Sequence, residues 1–304
     1  MNKNKDFKGI TLLILGCGNR GKNYASFSLL NPEKARVVAI ADKNPHSRNT
    51  FIKLYEETID KDKVFIDWRD ILDLEEKIAD CVIIALPDKQ HKDAAISFTN
   101  KQYHMLLEKP MATSLEQCQQ ITSACRLQEK QINAVCHVLR YFSPCIKIKE
   151  IIDSGALGDI VNINHTEPVG YEHFAHSFVR GNWHNENDSS FSLLAKCCHD
   201  IDLLIYWMGQ KKNCQKVSSF GSLMHFKKEN APENSTLKCY DCPVEKQCCY
   251  SARKIYTQSF GDPNRWPISV VLGAEISNLK NQQENADIEV TLKFNSKDET
   301  TEKK

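Results

Sequence analysis

Apolar residues in this chain fall into short runs over the first 140 positions and into alternating or helically spaced patterns afterwards. Runs at 10–15, 36–42 (RVVAIAD), 64–66, 81–86 (CVIIAL), 103–107 and 132–137 have the length and β-branched content of buried strands. Between them, 20–30, 45–57 and 92–100 have helical spacing, and a further helix opens at Ser114 with Gln117 three positions on, a Ser-x-x-Gln capping pattern. Strands alternating with helices predict right-handed crossovers and a parallel sheet covered on both faces. Residues 1–140 are therefore expected to form an α/β, doubly wound Rossmann unit.

The pattern then changes. Residues 144–154 read as a helix ended by Gly155, and 191–208 as a second, longer one. Residues 160–165, 217–226 and 288–294 alternate apolar and polar with period two, the mark of strands with one wet face. This predicts an α+β domain over 141–294 with an open, mostly antiparallel sheet. About three strands are countable after residue 158, so that sheet is expected to be incomplete, with bare edges that favour association. Residues 227–266 are aperiodic and Cys-rich, and read as an insert. The polar tail 295–304 is expected to be disordered.

Charge narrows the partners. Lys plus Arg total 40 against 39 for Asp plus Glu, a net charge of +1, which gives no electrostatic reason to expect nucleic acid or an anionic membrane. No apolar run nears the roughly 20 residues that span a bilayer, and the Lys-rich start has no apolar core of a secretory signal. Thirteen scattered cysteines in a chain this large read as reduced thiols in a cytoplasmic protein.

The chemistry begins at Gly16-Cys17-Gly18-Asn19-Arg20-Gly21, a G-x-G-x-x-G string that follows a strand and opens a helix. Gly16 permits the tight turn, Gly18 lets backbone approach a pyrophosphate, and Gly21 lets helix and strand pack. Free N–H groups and the helix dipole then favour phosphates. Asp42 ends the second strand, where a carboxylate accepts from both ribose hydroxyls and repels a 2′-phosphate. NAD is thus favoured over NADP, although Lys43 and Arg48 nearby keep the preference moderate.

The ordered set of Gly16 to Gly21, Ala41-Asp42, Pro87, Glu108-Lys109-Pro110 and Cys198-His199-Asp200-Ile201-Asp202 resembles the Gfo/Idh/MocA oxidoreductases, the family of glucose–fructose oxidoreductase and inositol dehydrogenase. Residues 154–158 (SGALG), leading into a strand, support the match, and 177–183 (SFVRGNW) with 196–202 resemble a dehydrogenase branch with a shortened C-terminal domain. The resemblance implies hydride transfer between nicotinamide and a secondary hydroxyl or carbonyl of a sugar, cyclitol or related polyol. It implies cofactor contacts from Gly16, Gly18, Asn19, Arg20, Gly21, Asp42, Pro87, His91, Glu108 and Lys109. Lys109 stabilises the reacting oxygen, Glu108 orients Lys109, and His199 moves the proton, with Asp202 on the same helical face. The family's carboxylate four residues before this histidine is Ala195 here. Lys196 either replaces it or is structural. His91 either lies near the cofactor or caps the next helix. Arg140 and Tyr141 either meet substrate hydroxyls or lock the domain junction. Two alternatives to the dehydrogenase stand: a dinucleotide-binding protein with impaired turnover, and an NAD-recycling hydrolase or lyase. The family's C-terminal sheet commonly builds a homo-oligomer.

Cys239-x-x-Cys242 with Cys248 and Cys249 has the spacing that seats thiolates on one metal, with structural zinc the best fit. The other reading is a set of reduced thiols in a variable insert.

Overall fold

The computed structural model describes residues 7–209, 214–236, 238–257, 266–267 and 271. Six strands, β1 (Ile10–Leu15), β2 (Ala35–Ala41), β3 (Val64–Phe65), β4 (Cys81–Ile84), β5 (His104–Leu107) and β6 (Asn133–Val135), form one sheet in the order β3-β2-β1-β4-β5-β6. Every pairing is parallel. The order reverses between β1 and β4, and open parallel sheets bind ligands in the crevice at that point.

Strand alternation divides the core between two faces. Leu13, Leu15, Val82, Ile84, Met105 and Leu107 point to one side, with Trp68, Phe98 and Tyr103. Leu12, Ile14, Val37, Ile40 and Ile83 point to the other, with Phe51 and Tyr55. A sheet buried on both faces needs apolar residues at consecutive positions, which is why its strands read as unbroken runs. Helices α1 (Asn19–Leu30), α2 (Pro45–Leu54), α3 (His91–Asn100) and α4 (Leu115–Arg126) cover the faces. Asn44 caps α2 by accepting from His46 N and Ser47 N, with Pro45 in the first turn, and Ser114 Oγ caps α4 by accepting from Gln117 N.

Beyond β6 come α5 (Ser143–Asp153), the short α6 (Tyr171–Phe174) running into a π-helical turn at Ala175–Val179, and α7 (Ser192–Met208). Cys145 from α5 and Leu203 and Trp207 from α7 form a separate small core, closed by Leu139, Ile152, Ile163 and Tyr206. The expected strands at 160–165 and 217–226 are not in any sheet among the described residues. Val161, Val217 and Phe220 lie almost fully exposed. Alternation makes a strand only where a neighbouring edge takes its N–H and C=O groups, and among the described residues no sheet includes these segments. The expected strand at 288–294 and the tail at 295–304 lie outside the described residues. No helix among the described residues is long and apolar enough to cross a membrane.

Candidate active site

The turn from β1 into α1 sits at the reversal point of the sheet. Gly16 N donates to Ala41 O and Ala85 N to Leu15 O, each at 2.8 Å, so the carboxyl ends of β1, β2 and β4 are level. Gly16 has φ +90°, and a Cβ there would lie 2.3 Å from Ala85 O. A Cβ on Gly21 would lie 1.9 Å from Gly16 O. Gly18 differs: nothing lies within 4 Å of its missing Cβ. The first and third glycines are thus demanded by the chain itself, whereas the space at Gly18 is open to a ligand. Gly21→Ala is expected to cost about 1–3 kcal/mol of stability. Gly18→Ala should unfold like the wild type in urea and lose only dinucleotide affinity.

Asp42 follows β2. Its Oδ2 accepts from Cys17 N at 2.6 Å and its Oδ1 from Asn44 N at 2.7 Å. A carboxylate has about four lone-pair sites, so the two that remain suit vicinal ribose hydroxyls. Arg48 Nη1 donates to the backbone oxygens of Asp42 and Lys43 and is committed to this loop. Open space at Gly18, an oriented acid at Asp42 and the start of α1 together fit a dinucleotide.

The carboxyl ends of β4, β5 and β6 each grip the second half of the chain. After β4, the buried Asp88 accepts from Trp183 Nε1 at 3.1 Å and Ser190 Oγ at 3.5 Å, and burial pushes its carboxyl above the ordinary value. After β5, Lys109 Nζ donates to Ala195 O on α7 at 2.8 Å. After β6, Arg140 Nε and Nη2 donate to the two oxygens of Asp202, each at 2.7 Å. Lys109 therefore faces the helix that carries His199 and Asp202. Burial lowers the His199 pKa to about 4, with the Lys109 ammonium and His137 adding to the effect. That imidazole is neutral at physiological pH.

Glu108 orients Lys109 through the backbone. Its carboxylate accepts from Arg20 Nε and Tyr24 Oη, both at 2.6 Å, and from Lys109 N at 2.7 Å. It fixes the backbone of Lys109, not the ammonium. Burial alone would raise its pKa, but the hydrogen bonds from Tyr24 and Arg20 and the charges of Arg20 and Lys109 prevail and hold it below the ordinary value. Arg20 bonds Tyr24 as well, so its guanidinium braces α1 to β5. His91 is wholly buried, with Nδ1 2.8 Å from Pro110 O and Nε2 2.9 Å from Leu86 O. It ties two loops together and leaves no ring edge for a cofactor. Lys196 pairs with Glu167 at 2.5 Å, and Tyr141 is mostly exposed.

The cysteine cluster does not converge. Among the described residues no three metal-ligating side chains come together. Cys239 instead packs with Ala252 and Tyr256 and accepts from Ala252 N, while Cys249 is exposed. The expected zinc site at Cys239, Cys242, Cys248 and Cys249 is withdrawn. The C-x-x-C spacing sets two thiols near each other in sequence, but it does not by itself bring a third ligand to them, and none joins them among the described residues.

Residues 10–135 match the oxidoreductase family with NAD-binding Rossmann fold, and residues 149–250 match that family's C-terminal alpha/beta domain. The chain belongs to the Gfo/Idh/MocA oxidoreductase family. One relative in this family, the 2,7-anhydro-N-acetylneuraminate hydratase of Escherichia coli, is 28% identical over 135 residues, or 44% of this chain and 35% of that protein. The inositol 2-dehydrogenase of Salmonella typhimurium is 29% identical over 145 residues, 48% of this chain and 42% of that protein. The structure of the WlbA dehydrogenase from Bordetella pertussis, in complex with NADH and UDP-GlcNAcA, superposes with a TM-score of 0.53 at 25% identity. That match covers 66% of this chain and 56% of the other. The chain spans about half the length, or less, of these Gfo/Idh/MocA proteins.

Several residues of the site had no signal in the sequence reading. Asp88 follows Pro87 at the end of β4, and His137 stands just past β6, yet neither motif nor spacing marked them. Tyr24 shares the α1 face of Arg20 at i+4 and was equally silent. His165 Nε2 lies 2.7 Å from Asp200 Oδ1 beneath the same helix.

Proposed function

We propose that this chain binds NAD(H) at the β1–α1 turn and interconverts a secondary hydroxyl and a carbonyl on a sugar, cyclitol or related polyol. The observation that carries the reading is Lys109: an ammonium at the carboxyl end of β5, with Ala195 O as the acceptor the structure gives for its side chain. Two of its three N–H groups are thus left for a ligand oxygen. Bound NAD supplies the hydride acceptor. Asp42 holds the adenosine ribose. Lys109 hydrogen-bonds the reacting oxygen and favours its negative form as the hydrogen leaves. The half-buried imidazoles of His137 and His199 beside it are the groups able to hold a proton.

The hydratase among the relatives supports a second reading, in which NAD is reduced and reoxidised within one turnover and water is added or removed overall. One assay separates the two. NADH fluorescence on titration reports binding. A panel of polyols and sugars with NAD then reports turnover, and net NADH formation supports the dehydrogenase. Product without net NADH supports the recycling reaction. A folded chain that leaves NADH fluorescence unchanged overturns both.

A further inference from the structure

Two imidazoles stand beside the Lys109 ammonium, and they are not equivalent. His137 and His199 have ring centroids 6.0 Å apart and planes near perpendicular. In each, Nδ1 is walled off from solvent and makes no hydrogen bond. An imidazole closed at Nδ1 works through Nε2, and the state of Nδ1 decides whether Nε2 is a bare lone pair or an N–H.

The surroundings of Nδ1 differ. For His137 it lies 4.0 Å from Asp202 Oδ2. This is too long for a hydrogen bond, but such catalytic contacts are often long until a ligand closes the site. The acid is well anchored: Arg140 holds both its oxygens and lies over the Tyr206 ring. Among the described residues His199 has no acid within ion-pair distance, whereas His165 pairs with Asp200 as His137 faces Asp202. A carboxylate facing Nδ1 favours the N–H there and leaves Nε2 unprotonated. The charges facing His137 are Asp202 and Arg140, together with Lys109 and Glu108 at the end of β5. Burial lowers its pKa, and Asp202 is the largest influence acting against that. His199 is depressed to about 4 by burial, Lys109 and His137. A base that weak accepts a proton poorly at neutral pH.

We propose that His137, held in its Nδ1–H form by Asp202, is the residue that takes the hydroxyl proton, with His199 a neutral hydrogen-bonding neighbour. The proposal rests on the dehydrogenase reading above. In oxidation the substrate O–H bond breaks, its proton goes to Nε2 of His137, and Asp202 stabilises the imidazolium. The C–H bond of the carbon bearing that oxygen breaks and its hydride is taken up by NAD as the C=O bond forms, so the two hydrogens removed are accounted for. In reduction the proton returns to the oxygen from Nε2.

The first test needs no substrate. Imidazole ¹⁵N spectra of the full chain are expected to show His137 as the Nδ1–H tautomer, and Asp202→Asn is expected to shift it towards Nε2–H while His199 stays unchanged. A His137 in the Nε2–H form, indifferent to Asp202→Asn, overturns the proposal. The second test uses any polyol that is turned over. His137→Gln should lower kcat for oxidation about 100-fold or more, with KM nearly unchanged and the acid limb of the pH profile lost, while His199→Gln has a much smaller effect. The reverse ranking overturns the proposal. Should His137→Gln not fold, His137→Asn keeps a donor near Asp202 and serves in its place. If NADH binds and no alcohol is oxidised, the dehydrogenase reading is what fails, and the tautomer spectra still decide whether the His137–Asp202 pair exists.

Discussion

Lys109→Ala is expected to lower kcat for alcohol oxidation by about 10²–10³-fold while the NADH dissociation constant stays near wild type. The ammonium is presented by the end of β5, and Ala195 O on α7 positions it. Its charge acts on an oxygen that becomes negative only as the hydrogen leaves, so its loss is felt in the transition state and little in ground-state binding. Lys109→Arg is not expected to restore the rate. A planar guanidinium has a different reach and donor geometry from a compact ammonium, and the contact to Ala195 O leaves it no free swing. The truncation also strips the buried Ala195 carbonyl of a donor, a stability cost of about 1 kcal/mol, which a urea melt separates from the kinetic effect. A parallel loss of NADH affinity and turnover would instead make Lys109 a cofactor-holding residue.

The Rossmann half was legible because its physics is local. A strand buried on both faces must be apolar at successive positions, and the glycines at 16 and 21 answer steric demands within one turn. The side-chain partners were not legible, because they are set by distant residues. The resemblance implies that Glu108 orients Lys109, which it does through Lys109 N, but its other partners carry no sequence signal. In the fold it is claimed by Arg20 and Tyr24, 88 and 84 positions earlier, because α1 passes over the end of β5. Asp202 shares a helix face with His199, yet Arg140, from the turn after β6, holds it, and it lies 4.0 Å from His137 Nδ1. The alternating segments 160–165 and 217–226 show the same limit in the backbone. Period two records a face, whereas a strand also needs an edge to pair with.

Those three grips at the ends of β4, β5 and β6 have a functional consequence. Ala195, His199 and Asp202 lie at i, i+4 and i+7 on one face of α7, and that face meets Lys109 at Ala195 O and Arg140 at Asp202. A substrate bound between them would be walled by α7 on one side and by the strand ends on the other.

Glu108→Ala is expected to destabilise the chain by about 2–4 kcal/mol. The carboxylate is buried and takes three donors, so its removal leaves Tyr24 Oη and Lys109 N without their acceptor and the Arg20 guanidinium without its counter-charge. Arg20 is partly exposed, and water then recovers some of its share, which keeps the expected loss below that of a fully enclosed pair. The acid limb of stability carries the same signature. The Glu108 pKa is held below its ordinary value of 4.5 in the folded chain. The folded state therefore binds fewer protons than the unfolded one, and stability rises with pH across that window. The contribution is fully present above about pH 4.5 and is lost as pH falls through the lowered folded value. Glu108→Gln keeps an acceptor for Tyr24 and has no charge to titrate. It should lose less stability than Glu108→Ala at pH 7 and flatten the acid limb of urea melts. An unchanged acid limb in Glu108→Gln would mean that other carboxylates, not the brace between α1 and β5, govern acid unfolding.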